Sequence, residues 1–138
     1  MRFKIVGLAT LLPVLAAGAA LAAEVQPLAE GWAIQSSAKV DADGAALSRP
    51  GVDTSGWHPA RVPTTVLAAL VAAGELPDPY YGDNLTRIPG YQKAPWLIMA
   101  KDSPFRDPWW YRVEFDAPAG WAGQHLSLNL DGVNYEAN

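Results

Sequence analysis

The first twenty-two residues set themselves apart by pattern: Arg2 and Lys4, an apolar run from Ile5 to Leu21 broken only by Gly7, Thr10, Pro13 and Gly18, and the close Ala20-Leu21-Ala22. A basic start, an apolar centre and a cleavage-like end read as a secretory signal peptide. The alanine content, Pro13 and the missing basic stop-transfer flank argue against a membrane span. Beyond it, Gly31 to Val40 alternates, with Trp32, Ile34, Ala38 and Val40 on one side and Gln35, Ser37 and Lys39 on the other, the period of a half-buried strand. Residues 41 to 63 follow neither period and read as a long connection pinned by Trp57. Thr64 and Thr65 then offer an N-cap, Val66, Leu67, Leu70 and Val71 share a helical face, and Gly74 closes the segment, so a short amphipathic helix is predicted. Its other side is mostly alanine, which predicts a second, shallower contact.

Pro77, Pro79, Pro89, Pro95, Pro104 and Pro108 keep any regular structure from 75 to 108 short. Alternation then returns. Tyr111, Val113 and Phe115 interleave with Trp110, Arg112 and Glu114, a turn over 117–123 carries Trp121, and Leu126, Leu128 and Leu130 interleave with Ser127, Asn129 and Asp131. The pattern predicts two antiparallel strands and the start of a further one at Val133. A sheet ending at Asn138 would keep an unpaired apolar edge, so the expectation is a piece of a longer protein, and residues 23–138 alone are expected to aggregate or stay molten.

Composition narrows the partners. Loss of Arg2 and Lys4 with the signal peptide leaves eight basic against fourteen acidic side chains, a formal charge of −6 that argues against nucleic acid. There is no cysteine, so disulfides, thiolate metal sites and cysteine nucleophiles are excluded. His58 and His125 are far apart and neither forms a helical pair with a carboxylate, so no metal site and no cofactor are expected. Ser103 lacks a strand-turn-helix nucleophile context. Asp78, Asp83, Asp107 and Glu114 are the carboxylates near aromatic groups, yet nothing in the sequence brings a pair together for glycoside chemistry, and no catalytic residue is assigned.

The sugar-like chemistry lies in two aromatic blocks. Pro77-Asp78-Pro79-Tyr80-Tyr81-Gly82-Asp83-Asn84 sets two tyrosines and an Asp-Asn pair on a proline-fixed loop, which makes Tyr80, Tyr81, Asp83 and Asn84 the candidate sugar-binding residues: pyranose faces stack on rings while hydroxyls pair with Asp and Asn. Aromatic side chains in such a loop also serve to hold it against a sheet, and the residues alone allow both readings. Asp107-Pro108-Trp109-Trp110-Tyr111-Arg112-Val113-Glu114-Phe115 reads as a strand.

Together with Trp57-His58-Pro59-Ala60-Arg61-Val62-Pro63-Thr64-Thr65-Val66 and the run from Leu128 to Ala137, these blocks resemble the start of glycoside hydrolase family 2, in its β-mannosidase and exo-β-D-glucosaminidase branch. The likeness runs from about Gly31 to Asn138. It implies a mostly β fold, an incomplete galactose-binding-like jelly-roll β-sandwich with one short helix, truncated before the immunoglobulin-like and TIM-barrel domains. It further implies that the parent is an exported retaining exo-β-glycosidase acting on terminal β-mannosyl or β-glucosaminyl residues. Both catalytic carboxylates would lie in the barrel, and this piece would be inactive alone. The expected partners are a carbohydrate and the parent's barrel domain, with no membrane contact after signal cleavage and a periplasmic or extracellular location. Two other readings compete: a free-standing secreted carbohydrate-binding module, and an exported interaction protein whose tryptophans only pack.

Overall fold

In the computed structural model, the described residues are 24–91, 100–101 and 103–133; the signal peptide and the strand read from Val133 onward lie outside them, apart from Val133 itself. The centre is a three-stranded antiparallel sheet of β1 (Trp32–Ser36), β2 (His58–Ala60) and β3 (Trp109–Arg112), in the order β2-β1-β3. Two helices accompany it, α1 (Gly44–Leu47) and α2 (Val66–Ala72). The architecture is mostly β, as the pattern predicts, with α1 and four 3-10 turns among the described residues beyond the one helix expected.

β1 is central, so both of its edges are hydrogen-bonded, and burial of three successive residues covers both faces at its end. Ile34 has no exposed surface, and Gln35 and Ser36 are buried too. Buried Gln35 is affordable only because its amide is satisfied: Nε2 donates to the Gly56 carbonyl at 3.0 Å, and Oε1 accepts from the Ser36 N–H at 3.0 Å. The strand ends four residues earlier than its alternation suggests. The Ser36 hydroxyl accepts from the Ala38 N–H at 3.3 Å, and this local bond starts a 3-10 turn over Ser37–Lys39 in place of further ladder.

The stretch read as one connection contains α1 and β2. Asp43 caps α1 by accepting from the Ala46 N–H at 2.8 Å. β2 carries Pro59, which lacks a ladder donor and fits only a strand at a sheet edge, the place β2 occupies. α2 follows its sequence signals closely: the Thr65 hydroxyl accepts from the Ala68 N–H at 3.2 Å, and Gly74 takes φ +75° just past the end. Its buried positions are Ala69 and Leu70, so the alanine side takes part in packing against β2.

β3 is shorter than the aromatic pattern predicts. It stops at Arg112, and Phe115 is largely exposed. The alternation over 126–130 forms no strand among the described residues, and Leu126, Leu128 and Leu130 are all more than half exposed. Alternation supplies a face but not a ladder, and no described segment pairs with this stretch. Behind the sheet Ile88 is fully buried and Gly90 presses on Ser103, where a Cβ would lie 2.4 Å from the serine Cβ. Only glycine fits that approach, and its φ of +85° requires one as well.

Candidate functional site

The sheet register brings the first residues of β2 and β3 to the same end as the last residue of β1: Ile34 lies opposite His58, and Ser36 opposite Trp109. The C-terminal turn of α2 closes in on that end. Past Gly74 the chain reverses, with the Glu75 and Leu76 N–H groups both donating to the Leu70 carbonyl, at 2.9 and 3.3 Å, and this turn brings the Glu75 carboxylate onto His58 Nδ1. A cavity of about 270 Å³ results, walled by His58, Glu75, Trp109, Phe105, Asp107 and Lys39 among others.

Its polar and aromatic groups are fixed by neighbours. Glu75 accepts from His58 Nδ1, an assignment that follows from the carboxylate having no proton to give, and leaves Nε2 as the ring's second hydrogen-bonding atom. Trp109 is half-buried; its indole N–H donates to the Pro104 carbonyl at 3.2 Å, and its ring sits 6.0 Å from the His58 ring at a tilt of 41°. The Asp107 carboxylate takes no hydrogen bond or ion pair from another described residue. An aromatic wall beside fixed polar groups is the arrangement that carbohydrate sites use: the ring takes the C–H face and the polar groups take hydroxyls.

The loop that the sequence nominates lies apart from this cavity wall. Tyr80 is 96% and Tyr81 77% exposed. Their backbone is nonetheless well braced. Asp78 accepts from the Tyr80 N–H at 2.9 Å, the Tyr81 N–H reaches the Asp78 carbonyl at 3.2 Å, and Gly82 takes φ +57°. Asn84 Nδ2 donates to the Asp78 carbonyl at 3.0 Å, and Asp83 pairs with Arg87 at 3.4 Å. Tyr80 and Tyr81 thus share one rigid exposed loop, in which the side chains of Asp83 and Asn84 help hold the shape.

The remaining carboxylate of interest, Glu114, is structural. Arg112 donates to it at 2.7 Å and to the carbonyls of Leu47 and Arg49 at 3.1 and 2.9 Å, tying the end of β3 to the α1 loop. That hydrogen bond, with the Gly51 N–H, holds the Glu114 carboxyl below its usual range. No group of three metal-capable side chains occurs among the described residues, and no described helix is long and apolar enough to cross a membrane. Sequence reasoning missed the His58–Glu75–Trp109 grouping. The available signals were Trp57-His58-Pro59, which reads as part of a loop, and the glycine stop before Glu75, which reads only as a helix end.

The chain is similar to known proteins. The family described as "Glycosyl hydrolase 2 galactose-binding domain-like" matches residues 32–138. An exo-β-D-glucosaminidase of Streptomyces avermitilis is 46% identical over 99 residues, covering 72% of this chain and 10% of its own. One from Amycolatopsis orientalis is 39% identical over 108 residues, covering 78% of this chain and 9% of its own. The crystal structure of Amycolatopsis orientalis exo-chitosanase CsxA superposes with a TM-score of 0.51 at 38% identity, over 64% of this chain and 9% of that one. The chain therefore spans about a tenth of the length of the relatives it matches.

Proposed function

This chain belongs to the galactose-binding-like domain family of glycoside hydrolase family 2, and from that premise we propose that it is the non-catalytic N-terminal module of an exported exo-β-D-glucosaminidase. The observation that carries the proposal is the 46% identity over 99 residues to an enzyme of that name. Glucosaminyl is preferred to mannosyl because the exo-β-D-glucosaminidases match at 46% and 39% identity, against 32% for a mannosylglycoprotein endo-β-mannosidase of Lilium longiflorum. Export follows from the basic, apolar and small-residue pattern of residues 1–22. Four of the carboxylates seen here serve local structure: Glu114 holds Arg112, Asp78 and Asp83 shape the tyrosine loop, and Glu75 holds His58. The hydrolytic pair belongs to the barrel of the parent, about 5 Å apart as retention of configuration requires. Within that parent Tyr80 and Tyr81 offer stacking faces toward the sugar or the barrel, with Asp83 and Asn84 setting the loop and supplying acceptors.

The test is an assay of the full-length gene product on p-nitrophenyl β-D-glucosaminide and p-nitrophenyl β-D-mannoside, with NMR of the first-formed anomer. Turnover of the glucosaminide with β-anomer released first is the expected result. Preference for the mannoside would move the specificity, and no turnover of either would overturn the reading.

A further inference from the structure

We infer that the cavity at the end of the sheet is a binding subsite for one glucosaminyl unit bearing a free amine; the choice of sugar rests on the glucosaminidase reading above. The volume of about 270 Å³ falls just under the ~300 Å³ at which sites for larger ligands begin, so it suits one ring of a chain and not a longer stretch. Trp109 supplies the wall for the pyranose face, and its orientation is set twice, by the Pro104 carbonyl and by the His58 ring. A ring held this way loses little freedom when a sugar stacks on it.

The amine is argued from charge. Among the described residues, Glu75 and Asp107 line the cavity with Lys39 as the one lysine or arginine, so an incoming ammonium meets more carboxylate than cation there. Asp107 is the freer of the two, since Glu75 already receives the His58 Nδ1–H. His58 Nε2 and Lys39 remain for sugar hydroxyls. N-acetylation would remove the charge that the two carboxylates favour.

Hydrogen exchange on the full-length gene product, with and without glucosamine oligomers, reads the subsite directly. Slower exchange over 57–76 and 103–110 is expected in the wild type, with the oligomer concentration needed rising about fivefold when Asp107→Asn and Glu75→Gln are combined. The Michaelis constant for long chitosan should rise by a similar factor in that variant. Trp109→Phe, which keeps an aromatic wall in β3, guards against misfolding and should retain protection that Trp109→Leu weakens. No protection in the wild type, or equal protection by N-acetylglucosamine oligomers, would overturn the inference. Loss of all glucosaminidase activity in the wild-type product would instead count against the proposed function, and the exchange experiment would still decide the subsite.

Discussion

Tyr111 and Tyr81 both stand in aromatic runs preceded by proline, yet the first is half-buried with its hydroxyl 3.5 Å from the Thr64 carbonyl, and the second is 77% exposed. Composition does not separate them. What does is the backbone each is mounted on. The run from Trp109 enters a ladder with β1, so successive side chains are carried to opposite faces and each finds something to cover it. The run at Tyr80 is turned by Asp78 and Gly82 into a closed loop bonded to itself, which leaves its rings nowhere to go but outward. An aromatic cluster therefore marks a packed strand or a presented surface according to whether its backbone hydrogen bonds are made with another segment or within its own.

The sharpest way to break the comparison is from the sheet side. Ile34 lies opposite Tyr111 in the register and has no exposed surface, so Ile34→Ala opens a cavity beside the strand that holds the tryptophans. A loss of about 2–5 kcal/mol is expected, read as faster amide exchange across β1 and β3 in the full-length gene product, with the loop at 78–84 unaffected. Equal acceleration in both regions would mean that the loop is stabilised through the sheet after all.

A smaller effect comes from the end of β3. The Glu114 carboxyl is held below its ordinary range by Arg112 first and the Gly51 N–H second. Because the folded value is the lower one, its contribution is present above the ordinary glutamate range and is lost as pH falls through the folded value. Glu114→Gln should therefore cost stability near neutrality and flatten the acid side of the stability profile. No change at any pH would show that the Arg112 link to the carbonyls of Leu47 and Arg49 suffices without the carboxylate.

How far the sequence anticipates the structure depends on whether a feature is local. α2 is legible because its cap, its apolar face and its closing glycine lie within ten residues of one another. β1 is legible from alternation, although the hydroxyl of Ser36 ends it early. β2 is hidden by Pro59, and the segment 126–130 is read as a strand because periodicity cannot report whether a partner exists. The cavity is the least legible part. His58 and Glu75 are seventeen positions apart and meet only through the turn after Gly74, while Trp109 reaches them through a register no local pattern encodes.

The smallest effect on stability, and the most direct reading of the loop, comes from Tyr80→Ala with Tyr81→Ala. Both rings are exposed and the loop hydrogen bonds use backbone groups with Asp78, Asp83 and Asn84, so the double variant removes two surfaces without touching the brace. The change in stability should stay within about 0.5 kcal/mol. Any kinetic change in the full-length gene product then belongs to what the rings touch. A raised Michaelis constant for p-nitrophenyl β-D-glucosaminide would place them at the catalytic pocket; an effect confined to long chitosan would place them along a chain-binding path. Unchanged kinetics on both would remove the loop from substrate contact, and the exposed tyrosines would then differ from Tyr111 of β3 in position alone.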